Sequence, residues 1–377
     1  MRVLHLNTGN ETGGGMHHIL SLLSKFNENE VILGLFERGE MLERAKELGI
    51  PVVLFEQHNQ KDLTVLWELI KFLREEDVQF VHTHGPRATF LMALSKRFIR
   101  QPVITTIHSN PQDDFSGRGL KGLICYHLYK WSFKNVDHFI VVSRSFSEIM
   151  QNAFNVHPNA ISTIWNGIDF SEKVDGLNRF SLGFNDEDYI IIMIARLESV
   201  KRHWLAIEAF QQFLEVKPNG HLLLIGDGVE KDNVIKALSK NDLDNHVHII
   251  GYQEEAVQYL EIADLFLLTS KSESFPLVLL EAARAKVPIV TTNVGDVKKL
   301  IPNDEYGTVV NEDSPKEIAQ TMYQVATHNH EDQTEKLYEY AKSHFSLQHF
   351  YDQIRLIYSD LNTKQMECKK IVKKFNA

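Results

Sequence analysis

Short runs of β-branched and apolar residues, each followed by a longer amphipathic segment, occur in two successive series along this chain, and that pattern leaves few folds open. In the first half the runs are Val3–Asn7, Val31–Leu35, Val52–Phe55, Phe80–Thr83, Val103–Ile107 and Phe139–Val142, with helical patterns between them such as Leu63–Arg74 and Ala88–Phe98. The series restarts after about residue 185 with Ile190–Ala195, Leu222–Ile225, Val247–Ile250, Leu265–Leu268 and Ile289–Thr291, joined by helical patterns at His203–Phe213 and Leu277–Ala285. Continuously apolar strands separated by helices imply parallel sheets covered on both faces. The chain has 377 residues, which suits two such domains. The expected organisation is an α/β fold of two doubly wound, Rossmann-like domains facing across a cleft. An N-terminal domain spans residues 1–165. A turn-rich linker spans 166–182, with Asn166-Gly167 and Asp175-Gly176. A second domain spans 183–350, and a closing helix with a basic tail spans 351–377. In such sheets ligands bind beyond the carboxyl ends of the strands.

Composition narrows the function. Forty basic against fifty acidic side chains give a formal net charge of −10, which argues against nucleic acid as a partner, since that role needs a basic face. The two cysteines, Cys125 and Cys368, form neither a disulfide framework nor a thiolate cluster; they suit a reducing, cytoplasmic setting. No run reaches the length of an apolar membrane span, and the first residues, interrupted by His5 and Asn7, do not read as a secretion signal. Residues 96–144 carry eight basic and three acidic side chains. Within that region, Leu120–Phe133 interleaves Leu123, Ile124, Tyr126, Leu128, Tyr129, Trp131 and Phe133 with Lys121 and Lys130. The favoured expectation is a buried helix with lysines at its rim; the alternative is a docking face for an anionic bilayer surface. The lysine-rich tail, residues 361–377, either assists such docking or is disordered.

Three motifs lie at strand ends. Gly13-Gly14-Gly15 follows the first strand and precedes a helical run. It reads either as a tight turn or as a loop whose amides approach a phosphate, although its spacing is neither a dinucleotide fingerprint nor a Walker loop. Arg196 and Lys201 follow the first strand of the second series, where two cations suit an anion, or form a solvated basic turn. Ser270-Lys-Ser-Glu273-Ser-Phe-Pro-Leu-Val-Leu-Leu-Glu281 follows the strand Leu265–Leu268. Glu281 interrupts an apolar helical face, so its carboxylate needs hydrogen-bond donors, either sugar or ribose hydroxyls or a buried arginine or backbone.

An Arg-x4-Lys at a strand end, followed some 70 residues later by Ser-Glu-x-Phe-Pro-Leu-Val-Leu-Leu-Glu-Ala, resembles the retaining glycosyltransferases of family 4, the glycosyl transferases group 1, which have the GT-B fold. Asn166-Gly167-Ile168-Asp169, Gly226-Asp227-Gly228 and Gly13-Gly14 with His18 agree with it. The resemblance covers about residues 1–360 and implies C-terminal helices that cross back to the first domain. It implies that Arg196, Lys201, Gly14, Leu277 and Val278 bind the donor diphosphate. Glu273, Phe275 and Pro276 bind the donor sugar, Glu281 the ribose, and Tyr252 with Gly226 the base. His108 and Glu273 are the implied catalytic residues. Two departures, Ser274 and Gly295-Asp296 where the family commonly has glycines, bear on the donor pocket and hence on which sugar it takes.

Cations and helix amides can stabilise a leaving nucleotide electrostatically, so no metal and no cofactor are expected; the nucleotide-sugar is a substrate. Asp186-Glu-Asp188 and Asp242-Leu-Asp244 have Asp-x-Asp spacing but precede strands and read as solvated acids. No His/Cys spacing suggests zinc, and no Gly-x-Ser-x-Gly elbow suggests a serine hydrolase. The expected activity is retaining transfer from a UDP-linked sugar, UDP-N-acetylglucosamine or UDP-glucose, with GDP-mannose as runner-up. The acceptor is a carbohydrate or lipid-linked hydroxyl, reached in the cytoplasm or at the inner membrane face. A sugar-nucleotide epimerase and a non-catalytic nucleotide-sugar-binding subunit are the alternatives.

Overall fold

The computed structural model describes residues 1–10, 14–57, 62–112, 114–115, 119–172, 174, 176–311 and 313–375. Gly13, Asp175 and part of the segment after His108 lie outside them. The chain forms two compact units, Met1–Gly167 with Leu347–Ala377, and Ile168–Ser346.

The first unit runs β1 (Val3–Asn7), α1 (Gly14–Leu23), β2 (Val31–Leu35), α2 (Glu40–Glu47), β3 (Val52–Leu54), α3 (Val65–Glu75), β4 (Phe80–His84), α4 (Pro86–Ser95), β5 (Val103–Ile107), α5 (Gly119–Ser132), β6 (His138–Val141), α6 (Arg144–Asn152) and β7 (Ile161–Thr163). Its sheet is parallel, in the order β3-β2-β1-β4-β5-β6-β7. Every residue of β1, β2, β4, β5 and β6 is buried, as a sheet covered on both faces requires. One face packs Leu4, Leu6, Val81 and Val103 against Leu69, Leu73, Leu91 and Met92. The other packs Val3, Leu33, Phe80 and Ile104 against α1, α2 and the last helix of the chain.

The second unit runs β8 (Tyr189–Ile194), α7 (His203–Leu214), β9 (Gly220–Ile225), α8 (Lys231–Lys240), β10 (Val247–Gly251), β11 (Leu265–Leu268), α9 (Leu277–Arg284), β12 (Ile289–Thr292), α10 (Val297–Leu300), β13 (Thr308–Val310), α11 (Pro315–Ala326) and α12 (Glu331–Phe345). Its parallel sheet has the order β10-β9-β8-β11-β12-β13. The reversal of direction falls between β8 and β11, so the ends of these two strands flank the position where doubly wound sheets bind ligands. The start of α11 shows how locally the elements are specified. Pro315 occupies the first turn, and the Ser314 hydroxyl accepts from the Glu317 amide. α13 (Leu347–Phe375) then returns to the first unit, where Phe350, Tyr351, Ile354 and Tyr358 join its core.

The buried-helix expectation for Leu120–Phe133 is overturned. α5 buries Gly122, Tyr129 and Ser132 but leaves Leu120 80% and Ile124 60% exposed. Leu123, Leu128 and Trp131, also exposed, fall on the same side at 100° per residue. The inward side already has its partners: Tyr129 packs on Phe133 and Phe115. On the outward stripe Trp131 meets Phe90 of α4 edge-on, while Leu120, Leu123 and Ile124 stay more than half exposed.

Candidate functional site

The second unit builds its site from two loops tied together at the switch point. After β8 the chain passes Arg196 and forms a single 3-10 turn, Ser199–Lys201. Arg202 then takes a left-handed backbone, φ 52°, at the start of α7. That conformation is uncommon for a residue with a side chain. It is held by the guanidinium, which is buried and donates to the carbonyls of Thr269 (2.7 Å) and Ser270 (2.9 Å) and to the Asp313 carboxylate (2.7 Å). The Thr269 hydroxyl answers by donating to the Lys201 and Arg202 carbonyls, and the Lys271 amide donates to the Val200 carbonyl. Thr292 on β12 donates to Ser270 O at 2.7 Å.

This clamp sets Lys201 opposite Glu273. Lys201 Nζ donates to Glu273 Oε1 at 2.5 Å, and the Ser270 hydroxyl donates to the same oxygen at 2.6 Å. Both side chains are mostly buried, 18% and 12% exposed, so the pair is screened by water far less than a surface ion pair. The loop also depends on Gly295. Its φ is 52°, and a Cβ there would fall 2.3 Å from the Glu273 carbonyl oxygen and 2.5 Å from that of Ser274. The next residue, Asp296, donates its amide to Ser274 O at 3.0 Å. The two departures noted in the sequence, Ser274 and Asp296, therefore meet in one backbone contact.

The other expected site residues are distributed around this pair. Arg196 lies at the β8 end but is 74% exposed and paired with Glu198 at 2.7 Å. Gly226, φ 142°, follows β9 and lies against Ala195, whose carbonyl a Cβ would meet at 2.1 Å. Tyr252 is 69% exposed just past β10. Phe275 is buried against Phe345. Pro276 caps α9, which opens at Leu277 and Val278. Glu281 does not join Lys201 and Glu273. It lines a cavity of about 410 Å³ with Phe170, Glu172, Leu260, Arg284 and Tyr338, which neither of those residues lines. Burial pushes the Glu281 carboxyl up to about 7, against the pull of Arg284. Arg284 spends its hydrogen bonds on Glu172 (2.5 Å) and the Asp169 carbonyl (3.0 Å).

In the first unit, Gly14 opens α1, and its neighbour Gly13 lies outside the described residues. His108 follows β5, with its Nε2 3.1 Å from His84 Nδ1 and its ring 5.4 Å from that of His18. Burial pushes the His108 imidazole down to about 4, so it is neutral at pH 7.

Sequence reasoning missed Arg202. It stands beside Lys201 and reads as one more surface cation; nothing in a single sequence signals its backbone conformation. It also passed over His82-x-His84, although two histidines at period two within a strand necessarily share a face.

Comparison with known proteins agrees with this architecture. The profile described as Glycosyltransferase Family 4 matches residues 12–172, and that described as Glycosyl transferases group 1 matches residues 175–344. The chain belongs to the family 4 glycosyltransferases and has the GT-B fold. Among its relatives is the N-acetyl-alpha-D-glucosaminyl L-malate synthase of Bacillus anthracis, 26% identical over 315 residues that cover 81% of each chain. Another is the UDP-Gal:alpha-D-GlcNAc-diphosphoundecaprenol alpha-1,3-galactosyltransferase of Escherichia coli, 26% identical over 264 residues, 66% of this chain and 67% of that one. The crystal structure of Anabaena Alr3699/HepE in complex with UDP superposes with a TM-score of 0.82 at 18% identity, over 96% of this chain and all of that one.

Proposed function

We propose that this glycosyltransferase moves a hexosyl group from a uridine diphosphate sugar, UDP-N-acetylglucosamine or UDP-glucose, to a hydroxyl of a carbohydrate or lipid-linked acceptor, with retention of configuration and without a metal. Its place is the synthesis of surface polysaccharide or glycolipid. The observation that carries the reading is the mostly buried Lys201–Glu273 pair at the switch point of the donor-type sheet. A cation fixed there before substrate arrives stabilises negative charge on a departing diphosphate with no reorganisation during the reaction. Arg196, itself exposed and paired with the half-buried Glu198, adds a second cation, and the first amides of α9, at Leu277 and Val278, complete an anion site. Glu273 contacts the transferred sugar. Glu281, whose carboxyl has no hydrogen-bond partner among the described residues, accepts from ribose hydroxyls; Tyr252 and Gly226 border the base. On the first unit, His108 serves as a polar contact to a sugar hydroxyl, and the Gly14 amide approaches a phosphate or sugar. The relatives' substrates, a uridine-linked donor and a lipid diphosphate acceptor in one of them, support the donor and acceptor classes.

The test is a thermal-shift screen against UDP, GDP, ADP and their sugars, with and without EDTA. Binding to the native state raises the melting temperature as RT ln(1 + [L]/Kd). A UDP-selective shift that survives EDTA is the expected result, followed by NMR of the product showing the donor's anomeric configuration. No shift with any nucleotide, or a product of inverted configuration, overturns the reading.

The exposed stripe of α5 extends it to a membrane surface. No helix among the described residues is long and apolar enough to cross a bilayer, but Leu120, Leu123, Ile124 and Trp131 stand outward with Lys121 and Lys134 exposed nearby. Apolar insertion beside basic side chains is the pattern of an anionic-lipid surface contact. The protein is expected to co-sediment with vesicles containing phosphatidylglycerol, and Leu120→Glu with Ile124→Glu is expected to abolish that. Equal binding by the double variant rejects α5 as the contact.

A further inference from the structure

On the α13-facing side of the first sheet, a line of side chains sits just above the apolar core. Val3 and His5 alternate on β1, Phe80, His82 and His84 on β4, and Ile104 and Thr106 on β5, all on one face; the register sets His5 beside His82 and His84 beside Thr106. α13 supplies Tyr358, fully buried. The contacts are continuous. Thr106 Oγ1 is 2.6 Å from His82 Nε2, and His82 Nδ1 is 2.6 Å from the Tyr358 hydroxyl. That hydroxyl is 3.2 Å from His5 Nε2, and His5 Nδ1 is 3.0 Å from His84 Nε2. His84 Nδ1 is 3.1 Å from His108 Nε2. The three imidazoles His5, His82 and His84 also lie within reach of a common metal ion. However, both nitrogens of His82 are engaged by hydroxyls and those of His5 and His84 by each other and their neighbours, so protons already fill these positions.

Every member of the line is neutral at pH 7. Burial lowers His5 to about 3 and His108 to about 4, puts His82 and His84 well below the ordinary value, and raises the Tyr358 phenol. A neutral imidazole has one proton to give and one lone pair to receive. The Tyr358 hydroxyl, fully buried, must donate its own proton to one of its two histidine neighbours and so accepts from the other; all protons along the line therefore point the same way, and only two arrangements exist. Thr106 decides between them. The residue is 3% exposed, and among the described residues the only hydrogen-bond partner of its hydroxyl is His82 Nε2. In the arrangement where His82 donates to it, the Thr106 proton is buried without an acceptor, at a cost of about 1–3 kcal/mol. Thr106 therefore donates to His82, His82 to Tyr358, Tyr358 to His5, His5 to His84, and His84 to Nε2 of His108.

We propose that this line of five side chains fixes His108 as the Nδ1–H tautomer, with its lone pair turned inward onto His84 and a hydrogen-bond donor turned to its ligand. Thr106, His82, Tyr358, His5 and His84 are positioning residues. The inference rests on the reading of His108 as a ligand contact, and it specifies that contact. His108 selects an oxygen that accepts, a sugar hydroxyl or ring oxygen, and does not serve as a base toward the acceptor.

The experiment is long-range 1H–15N correlation on protein labelled with 15N-histidine, with the His108 signals assigned by their loss in His108→Asn. The expected pattern is a protonated Nδ1 and an unprotonated Nε2. Tyr358→Phe and Thr106→Val should convert it to a mixture of tautomers, while Thr106→Ser, which keeps the hydroxyl, should restore the single form. A purely structural role would lower the melting temperature of Tyr358→Phe and Thr106→Val without moving the His108 pattern. A wild-type His108 protonated on Nε2, or one unchanged in both variants, overturns the proposal. The readout needs no donor or acceptor, so failure of the transferase reading shows separately, in the activity assay.

Discussion

Lys201→Ala is expected to lower kcat/KM for sugar transfer by about 10³-fold with the fold retained. The size follows from the loss of a preorganised charge on the leaving group, roughly 4 kcal/mol of transition-state stabilisation. A second effect comes with it. Glu273, 12% exposed, keeps only the Ser270 hydroxyl as a side-chain hydrogen-bond partner among the described residues, and a mostly buried carboxylate without its cation is costly. The melting temperature should therefore fall as well. Glu273→Gln separates the two effects: it keeps the volume and the bond from Ser270 but removes the charge that orients Lys201. If Lys201 acts on the diphosphate, Lys201→Ala stays inactive when combined with Glu273→Gln, although the double variant regains stability. Full activity in either single variant, measured by UDP release with circular dichroism as the control for folding, removes the pair from the mechanism.

Acid is expected to unfold the first unit well above the pH at which its carboxylates titrate. His5 and His18 are held down to about 3, and His82 and His84 well below the ordinary value, in every case chiefly by burial. For a base with a lowered folded-state pKa, the unfolded chain binds protons first. The stability these groups contribute is complete above about pH 6.5 and is lost as the pH falls below it toward the folded-state values. At pH 5.5 each imidazole costs about 1.4 kcal/mol, and four acting independently cost on the order of 5 kcal/mol, comparable with the whole stability of many domains. The urea midpoint followed by tryptophan fluorescence should therefore drop steeply between pH 7.5 and 5.5. An unchanged midpoint contradicts the burial of neutral histidines in this core.

The strands were legible because parallel strands buried on both faces leave unbroken apolar runs; β1, β2, β5 and β11 begin and end where the sequence places them. The two strands that escaped, β7 and β13, are three-residue edge strands, only partly buried and too short to show a period. The Lys201–Glu273 partnership joins residues 72 positions apart, and its motif spacing pointed to both. Arg202 did not stand out, because its role is set by a left-handed backbone and two carbonyls rather than by residue type. The outward face of α5 was misjudged because apolar composition does not reveal which side of a helix finds neighbours. The histidine line stayed hidden for a related reason: its central hydroxyl, on Tyr358, lies 276 residues from His82.

That last separation has a consequence for synthesis. Residues 168–346 are contiguous and carry their own complete sheet, so they can close as soon as they clear the ribosome. The earlier-made sheet waits for Phe350, Ile354 and Tyr358 to cover one of its faces. Domains emerge N-terminus first at about 5–20 residues per second, and about 195 residues separate the end of β7 from Tyr358. The face bearing Val3, Phe80 and the histidines thus stays open to solvent for about 10–40 s at those rates, and the part of the molecule translated first is the last to be finished.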